Sequence, residues 1–289
     1  IRQYGDRKNF YLFLVWALLQ VKKIFKVGYR TGNCNKRKSL DVVIPTISKD
    51  FETLSLLIKS LKYLENQVNN IYIVSPDNNE IINFCRKNKI IFIDELSVLG
   101  FGKDKIKYKV NGLDRRGWIF QQLLKLSGES FTELKDYLVV DSDTIFVDYN
   151  CFMVEDGRYV YFASDEWHQP YFDAFKKIFG YEAPTSLSLT SHMMIFNHDK
   201  LREMKLELEA KHNKKWHDVY ISTISPNEQS CISDYDTYAN WMLYNYPDDI
   251  KILPFYNKSI SRSRLNYLFD PTQKFSNLKS VSFHSYIER

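Results

Sequence analysis

The sequence predicts an α/β fold, a mixed and mainly parallel central sheet with flanking helices. Apolar runs at residues 41–46, 71–76 and 90–94 alternate with helix-like stretches at 50–64 and 78–88. Strand, helix, strand, helix, strand implies right-handed crossovers and parallel pairing. The runs are apolar along their length instead of alternating with polar residues, as in strands covered on both faces. Thr46, Ser75, Asp77, Asp94 and Asp141 all fall at the carboxyl ends of such runs, where parallel sheets bind their ligands.

With 289 residues, 44% of them hydrophobic, the chain can bury a large core as one large domain or as one domain with an appendage. Its 40 basic and 35 acidic residues leave a net charge of +5. That surplus is too mild to predict a nucleic-acid partner, and it suits anionic ligands or an anionic membrane surface. Cys34, Cys85, Cys151 and Cys231 stand far apart, with no Cys-x-x-Cys pair. Nothing in that spacing reads as a zinc site or a disulfide framework, so a reducing cytoplasm is the expected setting.

Residues 10–21 are apolar on every side and flanked by Arg7, Lys8, Lys22, Lys23 and Lys26. The stretch is too short to span a bilayer as a helix. Either it lies in a membrane interface, with Trp16 and Tyr11 at headgroup depth, or it packs as a helix on the main domain. A basic linker follows at 29–38, so 1–39 reads as an N-terminal segment and 40–289 as the main domain. Pro45 stops the first strand, and Phe51, Leu54, Leu57, Ile58, Leu61 and Leu64 then recur at helical spacing.

The stretch 99–126 begins as a glycine-containing loop with Lys103, Lys105, Lys107, Lys109, Arg115 and Arg116, the kind of loop that a diphosphate ligand requires. From Gly117 it reads as a helix, with Ile119, Phe120, Leu123 and Leu124 packing and Gln121, Gln122 and Lys125 polar near the sheet edge. Further on, 159–164 reads as a strand, 165–170 as a loop of acids, Trp and His that suits a polyol rim, and 191–197 as another strand. A charged amphipathic helix follows at 199–212. Ser233 reads as the cap of a helix with Asp234 and Asp236 in its first turn. The chain closes on a short strand, 281–286, that carries His284.

Between these elements, the run 137–147 delivers Asp141 and Asp143 one residue apart from an apolar strand. Two acids so placed repel and are costly to desolvate unless a cation lies beside them. Oxygen ligands at this spacing suit Mg2+ or Mn2+, which takes further oxygens from a substrate phosphate, and His284 is a candidate additional ligand.

The opening strand, the strand bearing Asp141 and Asp143, the helix start Ser233-Asp234-Tyr235-Asp236 and the late His284 together resemble the GT-A class of nucleotide-sugar-dependent glycosyltransferases. More narrowly, Arg116-Gly117-Trp118 with Gln121-Gln122 and Lys125-Leu126, followed by Asp141-Ser142-Asp143, Ser191-His192-Met193 and Ser233-Asp234-Tyr235, is similar to a bacterial glycosyltransferase-like family associated with surface-polysaccharide loci. The resemblance covers residues 40–289. It implies a GT-A (Rossmann-like) domain with a nucleotide-sugar half at 40–148 and an acceptor half at 149–289.

The activity so implied is metal-dependent transfer of a sugar from a nucleotide sugar, a UDP-sugar by expectation, to a glycan or lipid-linked glycan. The expected place is the cytoplasm, peripheral on the inner face of the membrane. Asp141, Asp143 and His284 would hold Mn2+ or Mg2+. Thr46, Asp94, Lys103, Arg116, Gln121, Ser142 and Arg262 would hold the nucleotide sugar. Asp165, Trp167, His168 and His192 would bind the acceptor, and Asp234 or Asp236 would take the acceptor's proton if the reaction inverts. A sugar-nucleotide pyrophosphorylase would carry a glycine-rich loop where Pro45-Thr46-Ile47-Ser48-Lys49 stands. A non-catalytic, membrane-associated binding protein on the same fold is the other alternative.

Overall fold

Strand β1 (Ser39–Pro45) lies in the middle of the molecule, buried along nearly its whole length. In this computed structural model, which describes residues 10–269, 275 and 277–284, it is preceded by helix α1 (Phe10–Ile24). Arg7, Lys8, Ser285 and Tyr286, named above, lie outside the described residues. After β1 the chain winds outward through α2 (Phe51–Ser60), β2 (Gln67–Ser75), α3 (Asn79–Asn88), β3 (Ile91–Asp94) and α4 (Glu95–Leu99). It then makes a short hairpin, β4 (Lys109–Val110) and β5 (Leu113–Asp114), and returns through α5 (Arg116–Lys125) to β6 (Asp136–Val140).

The central sheet has the order β3-β2-β1-β6-β9, with β9 at Met193–Asn197. The first four strands are parallel and β9 runs antiparallel to β6. This is the expected mixed, mainly parallel sheet with flanking helices. Because the chain moves from β1 to β2 and β3 on one side and comes back to β6 on the other, the strand order reverses between β1 and β6. A crevice opens at such a switch point, beyond the carboxyl ends of the strands.

Buried Asp41 fixes β1 to the segment that leads into β6. Its carboxylate accepts hydrogen bonds from the backbone amides of Asn70, Glu133 and Leu134 and from the Asn69 side chain, which repays the cost of burying the charge. Gly128 is required for a different reason. The ring of Tyr137, on β6, occupies the space where a Cβ at that position would sit.

The predicted run 137–147 divides in two. The acids occupy the turn after β6, and β7 (Thr144–Phe146) belongs to another sheet, of order β11-β12-β7, with β11 at Asn257–Ser261 and β12 at Ser280–His284. A parallel pair, β8 (Tyr159–Ala163) with β10 (Ile250–Pro254), makes a third sheet. Helices α6 (Gln169–Phe179), α7 (His198–His212), α8 (Trp216–Ile221) and α9 (Asp234–Asn245) complete the later half. Most of this follows the sequence reading to within a few residues.

Two findings change expectations. Cys34, in the linker, is joined by a disulfide to Cys151, 117 residues away, with Cα atoms 5.8 Å apart. Cys85 and Cys231 are free and buried. Spacing along the chain said nothing of this pairing, because the fold brings the linker alongside the segment after β7, and the expectation of a reducing cytoplasm loses its basis. Helix α1, read as either an interfacial or a packed helix, docks by Leu12 and Leu19 while its other side stays exposed. No helix among the described residues is long and apolar enough to cross a membrane.

Candidate functional site

The carboxyl ends of β1 and β6 flank the crevice, and the turn after β6 places Asp141 within it. Asp141 Oδ1 accepts a hydrogen bond from the Tyr235 hydroxyl at 2.9 Å and faces Lys125 Nζ at 2.6 Å. Its Oδ2 lies 3.3 Å from His192 Nδ1, while His192 Nε2 lies 3.1 Å from Glu166 Oε1. A carboxylate at each ring nitrogen favours the imidazolium, which donates from both. Burial disfavours that cation, but Glu166 and Asp141 outweigh burial and hold the pKa well above the ordinary 6.5.

Each member of this centre is positioned by a different element. Lys125 ends α5, its side chain only 6% exposed, and its backbone carbonyl accepts a hydrogen bond from the Tyr137 hydroxyl at 3.0 Å. Burial disfavours the ammonium, yet Asp141 and Asp234 raise its pKa. The ammonium also lies 4.4 Å from the centre of the Tyr235 ring. His192 immediately precedes β9 in left-handed backbone, φ +57°, a conformation that costs a non-glycine residue energy and recurs at functional sites. For Asp141, burial works against ionisation, but Lys125 and His192 prevail and its pKa falls below the usual 3.8.

The N-terminus of α9 faces the carboxyl end of α5. Ser233 caps α9 by accepting the Asp236 amide hydrogen, and Gln122 accepts that of Asp234. The two acids read as base candidates are each 3% exposed, and their surroundings differ. Asp234 Oδ2 is 3.5 Å from Lys125 Nζ. Asp236 accepts hydrogen bonds from the Leu189 amide at 2.7 Å and the Thr190 hydroxyl at 2.5 Å, tying down the chain just before His192. Burial raises both pKa values to about 6.

Asp143 has other company. Its Oδ2 accepts from His284 Nδ1 at 3.0 Å, and its backbone carbonyl accepts from the Phe283 amide. Arg262 approaches it to 3.9 Å but pairs more closely with Asp50, at 2.7 Å. Of the expected metal ligands, Asp143 and His284 thus lie side by side, while the third, Asp141, faces other groups. Both oxygens of Asp141 are already engaged by Lys125, Tyr235 and His192. Among the described residues no group of three or more Asp, Glu, His or Cys side chains is disposed to hold a metal. Side-chain cations answer the repulsion that the sequence posed.

Beside the acid turn, at the carboxyl end of β1, lies a pocket of about 360 Å³. Thr46, Lys103 and Gln121 of the expected nucleotide set line it, together with Asp50, Glu95, Arg115 and Trp118. Ser142 donates a hydrogen bond to Asp50 at 3.3 Å, which joins the pocket wall to the acid turn. The Thr46 hydroxyl is buried with no hydrogen-bond partner among the described residues. Buried polar groups are rarely left so unless something else meets them. Asp94 instead caps α4 by accepting the Leu96 amide hydrogen, and Arg116 pairs with Asp104 and Asp114.

Of the expected acceptor residues, only His192 is in the centre. Asp165 pairs with Gln20 and Lys23 of α1, Trp167 stacks on Phe172, and His168 bonds to the Ser230 carbonyl. Lys125, Glu166 and Tyr235 were not assigned from sequence. For Lys125 a signal existed: with Gln122 it forms a polar i, i+3 pair in a helix that otherwise packs apolar residues. Glu166 falls in the loop of acids that suits a polyol rim and Tyr235 in the capped helix start, but neither carries a sign of its partner.

DUF6492, a family of unknown function, matches residues 37–256. The chain belongs to DUF6492. The match takes in β1, the pocket, the acid turn, His192 and α9, and stops short of Arg262 and His284. No curated protein matches the sequence. Among solved structures, this DUF6492 chain is similar to mouse xyloside xylosyltransferase 1 in its apo form, at 14% identity and TM-score 0.47, over 86% of this chain and 99% of that one. It is similar to galactosyltransferase LgtC in complex with donor and acceptor sugar analogs, at 10% identity and TM-score 0.47, over 86% and 91%. It is also similar to the bifunctional glycosyltransferase WbbM, at 12% and 0.48, over 86% of this chain and 46% of that one. Likenesses this distant transfer no residue role.

Proposed function

We propose that this DUF6492 chain is a glycosyltransferase that takes a sugar from a nucleotide-sugar donor and passes it to a glycan or lipid-linked glycan. The observation that carries the reading is the pocket at the carboxyl ends of β1 and β2. It has the volume of a small-ligand site, an aromatic wall in Trp118, cations in Lys103 and Arg115, an unpartnered Thr46 hydroxyl, and a direct link through Asp50 and Ser142 to the acid turn. In this reading the base stacks on Trp118, and Lys103 and Arg115 face the diphosphate.

The sugar then lies toward Asp141 and Asp143, in a centre whose cations are fixed before the donor arrives. Those cations are matched by Asp141, Asp234 and Glu166, so it is Lys103 and Arg115, in place in the pocket, that stabilise the leaving diphosphate. The acceptor comes from the side of the loop after β8. Glu166 is 40% exposed there and is oriented by His192. It is therefore better placed than Asp234 or Asp236 to touch an acceptor hydroxyl. Its carboxylate takes the hydroxyl proton as the new C–O bond forms and the bond to the diphosphate breaks.

Calorimetric titration with UDP, GDP and ADP, with and without divalent cations, tests the donor pocket. One of the diphosphates should bind, and Trp118→Ala should weaken it by about tenfold or more, since stacking is worth roughly 1–3 kcal/mol per base. If none binds, the transferase reading is wrong.

A further inference from the structure

We infer that the exposed face of α1 is a docking surface for an anionic lipid bilayer. Phe10, Leu14, Leu18 and Val21 recur at i, i+4, i+8 and i+11 and form one stripe, which Ile24 and Phe25 extend at its end. These side chains are exposed, Leu18 to 63% and Phe25 to 75%. A contiguous apolar face of this length marks a surface that meets something apolar.

Charge identifies the partner. Lys22 and Lys26 are exposed at the carboxyl end of the stripe, and Arg30 follows. Apolar residues laid against acyl chains with lysines at the headgroups are the pattern of a helix lying in a membrane interface. The space under the helix points the same way. A cavity of about 190 Å³ separates α1 from the ends of β8 and β10, with Leu18, Leu19, Leu187, Ile252 and Leu253 in its wall. Tyr11 and Leu18 belong both to that wall and to the exposed side of the helix, so apolar chains at the outer face have apolar surface to follow inward.

The helix is also tied to the candidate acceptor loop. Gln20 and Lys23 hold the two oxygens of Asp165 at 2.9 Å each. Docking α1 on a bilayer thus holds the loop of Asp165 and Glu166 close behind the membrane-facing helix. This last link rests on the transferase reading, whereas the lipid surface itself does not.

Flotation of the full chain with phosphatidylcholine vesicles, with and without phosphatidylglycerol, separates the two. Binding should require the anionic lipid. Leu18→Asp and Phe25→Asp, both at exposed positions and checked for an unchanged circular dichroism spectrum, should each lower it about tenfold. Lys22→Gln with Lys26→Gln should lower it by a similar factor on anionic vesicles. Equal flotation on neutral and anionic vesicles would overturn the inference. So would a failure to float together with a dimer in sedimentation that Leu18→Asp dissolves, because the face would then belong to a second copy of the chain. Nucleotide binding without flotation would leave the transferase reading standing and remove the membrane surface alone.

Discussion

Asp141 and Asp143 are neighbours but one in the chain, yet they are held by different sheets and different cations. Asp141 ends a strand of the central sheet and is enclosed by Lys125, Tyr235 and His192. Asp143 leads into β7, in the sheet of β11 and β12, and meets His284 and the edge of Arg262. Around Asp141, three carboxylates (Asp141, Asp234 and Glu166) share the buried cations Lys125 and His192. The first acid is therefore part of what joins α5, α9 and the start of β9. The two side chains are equally exposed, 19% and 20%, so what separates them is their partners. A motif that looks like a matched pair in sequence is two groups with separate work.

The largest effect expected from this difference is at Lys125. Lys125→Met removes the ammonium that faces both Asp141 and Asp234 while keeping an apolar stem of similar length. Removing one partner of a buried ion pair costs about 3–5 kcal/mol, mostly because the remaining charge stays buried. Urea denaturation at pH 7 measures it. A loss below about 1 kcal/mol would mean that Asp141 is solvated in the folded protein and that the contrast with Asp143 is false.

A smaller effect belongs to the acids of α9. Asp236 ties the segment before His192, and burial raises its pKa from 3.8 to about 6. Between those values the folded chain keeps a proton that the unfolded chain releases, so its contribution to stability is full below pH 3.8 and is lost as the pH rises through 6. The change is on the order of 3 kcal/mol. Asp234 acts in the same direction. Asp236→Asn should therefore flatten part of the fall in stability between pH 4 and 6, measured by thermal melting across that range. An unchanged slope would place the titration elsewhere.

Much of the frame was legible in the chain. The apolar runs around Val43, Ile73 and Val139 read as buried strands, and Ser233 announced its helix by capping chemistry. The carboxyl-end positions of Thr46 and Asp141 followed from the same frame. What could not be read was which partners the acids would find. Lys125 is 16 residues from Asp141, His192 is 51 away and Tyr235 is 94 away, and only sheet order decides that they converge. A metal was the simplest cation to supply from local spacing, and that spacing gave no sign that the fold sets Lys125 and His192 beside Asp141 from a distance. The Cys34–Cys151 bridge was hidden for the same reason.

The smallest stability change is expected at Asp143, and it is the sharpest test of the contrast. Asp143→Asn keeps a side-chain oxygen that can still accept the hydrogen bond from His284 Nδ1. Arg262 retains Asp50 at 2.7 Å and its hydrogen bond to the Lys49 carbonyl, so no buried cation is stranded. With the group partly in solvent, the cost should stay within about 1 kcal/mol, against the several expected at Lys125. Nucleotide-sugar turnover, by contrast, should fall by orders of magnitude, about 100-fold or more, if Asp143 meets the donor. Urea denaturation and turnover measured on the same preparation separate the two consequences. A variant destabilised as much as Lys125→Met would show that β7 and the central sheet depend on both acids alike, and the division of labour between them would not hold.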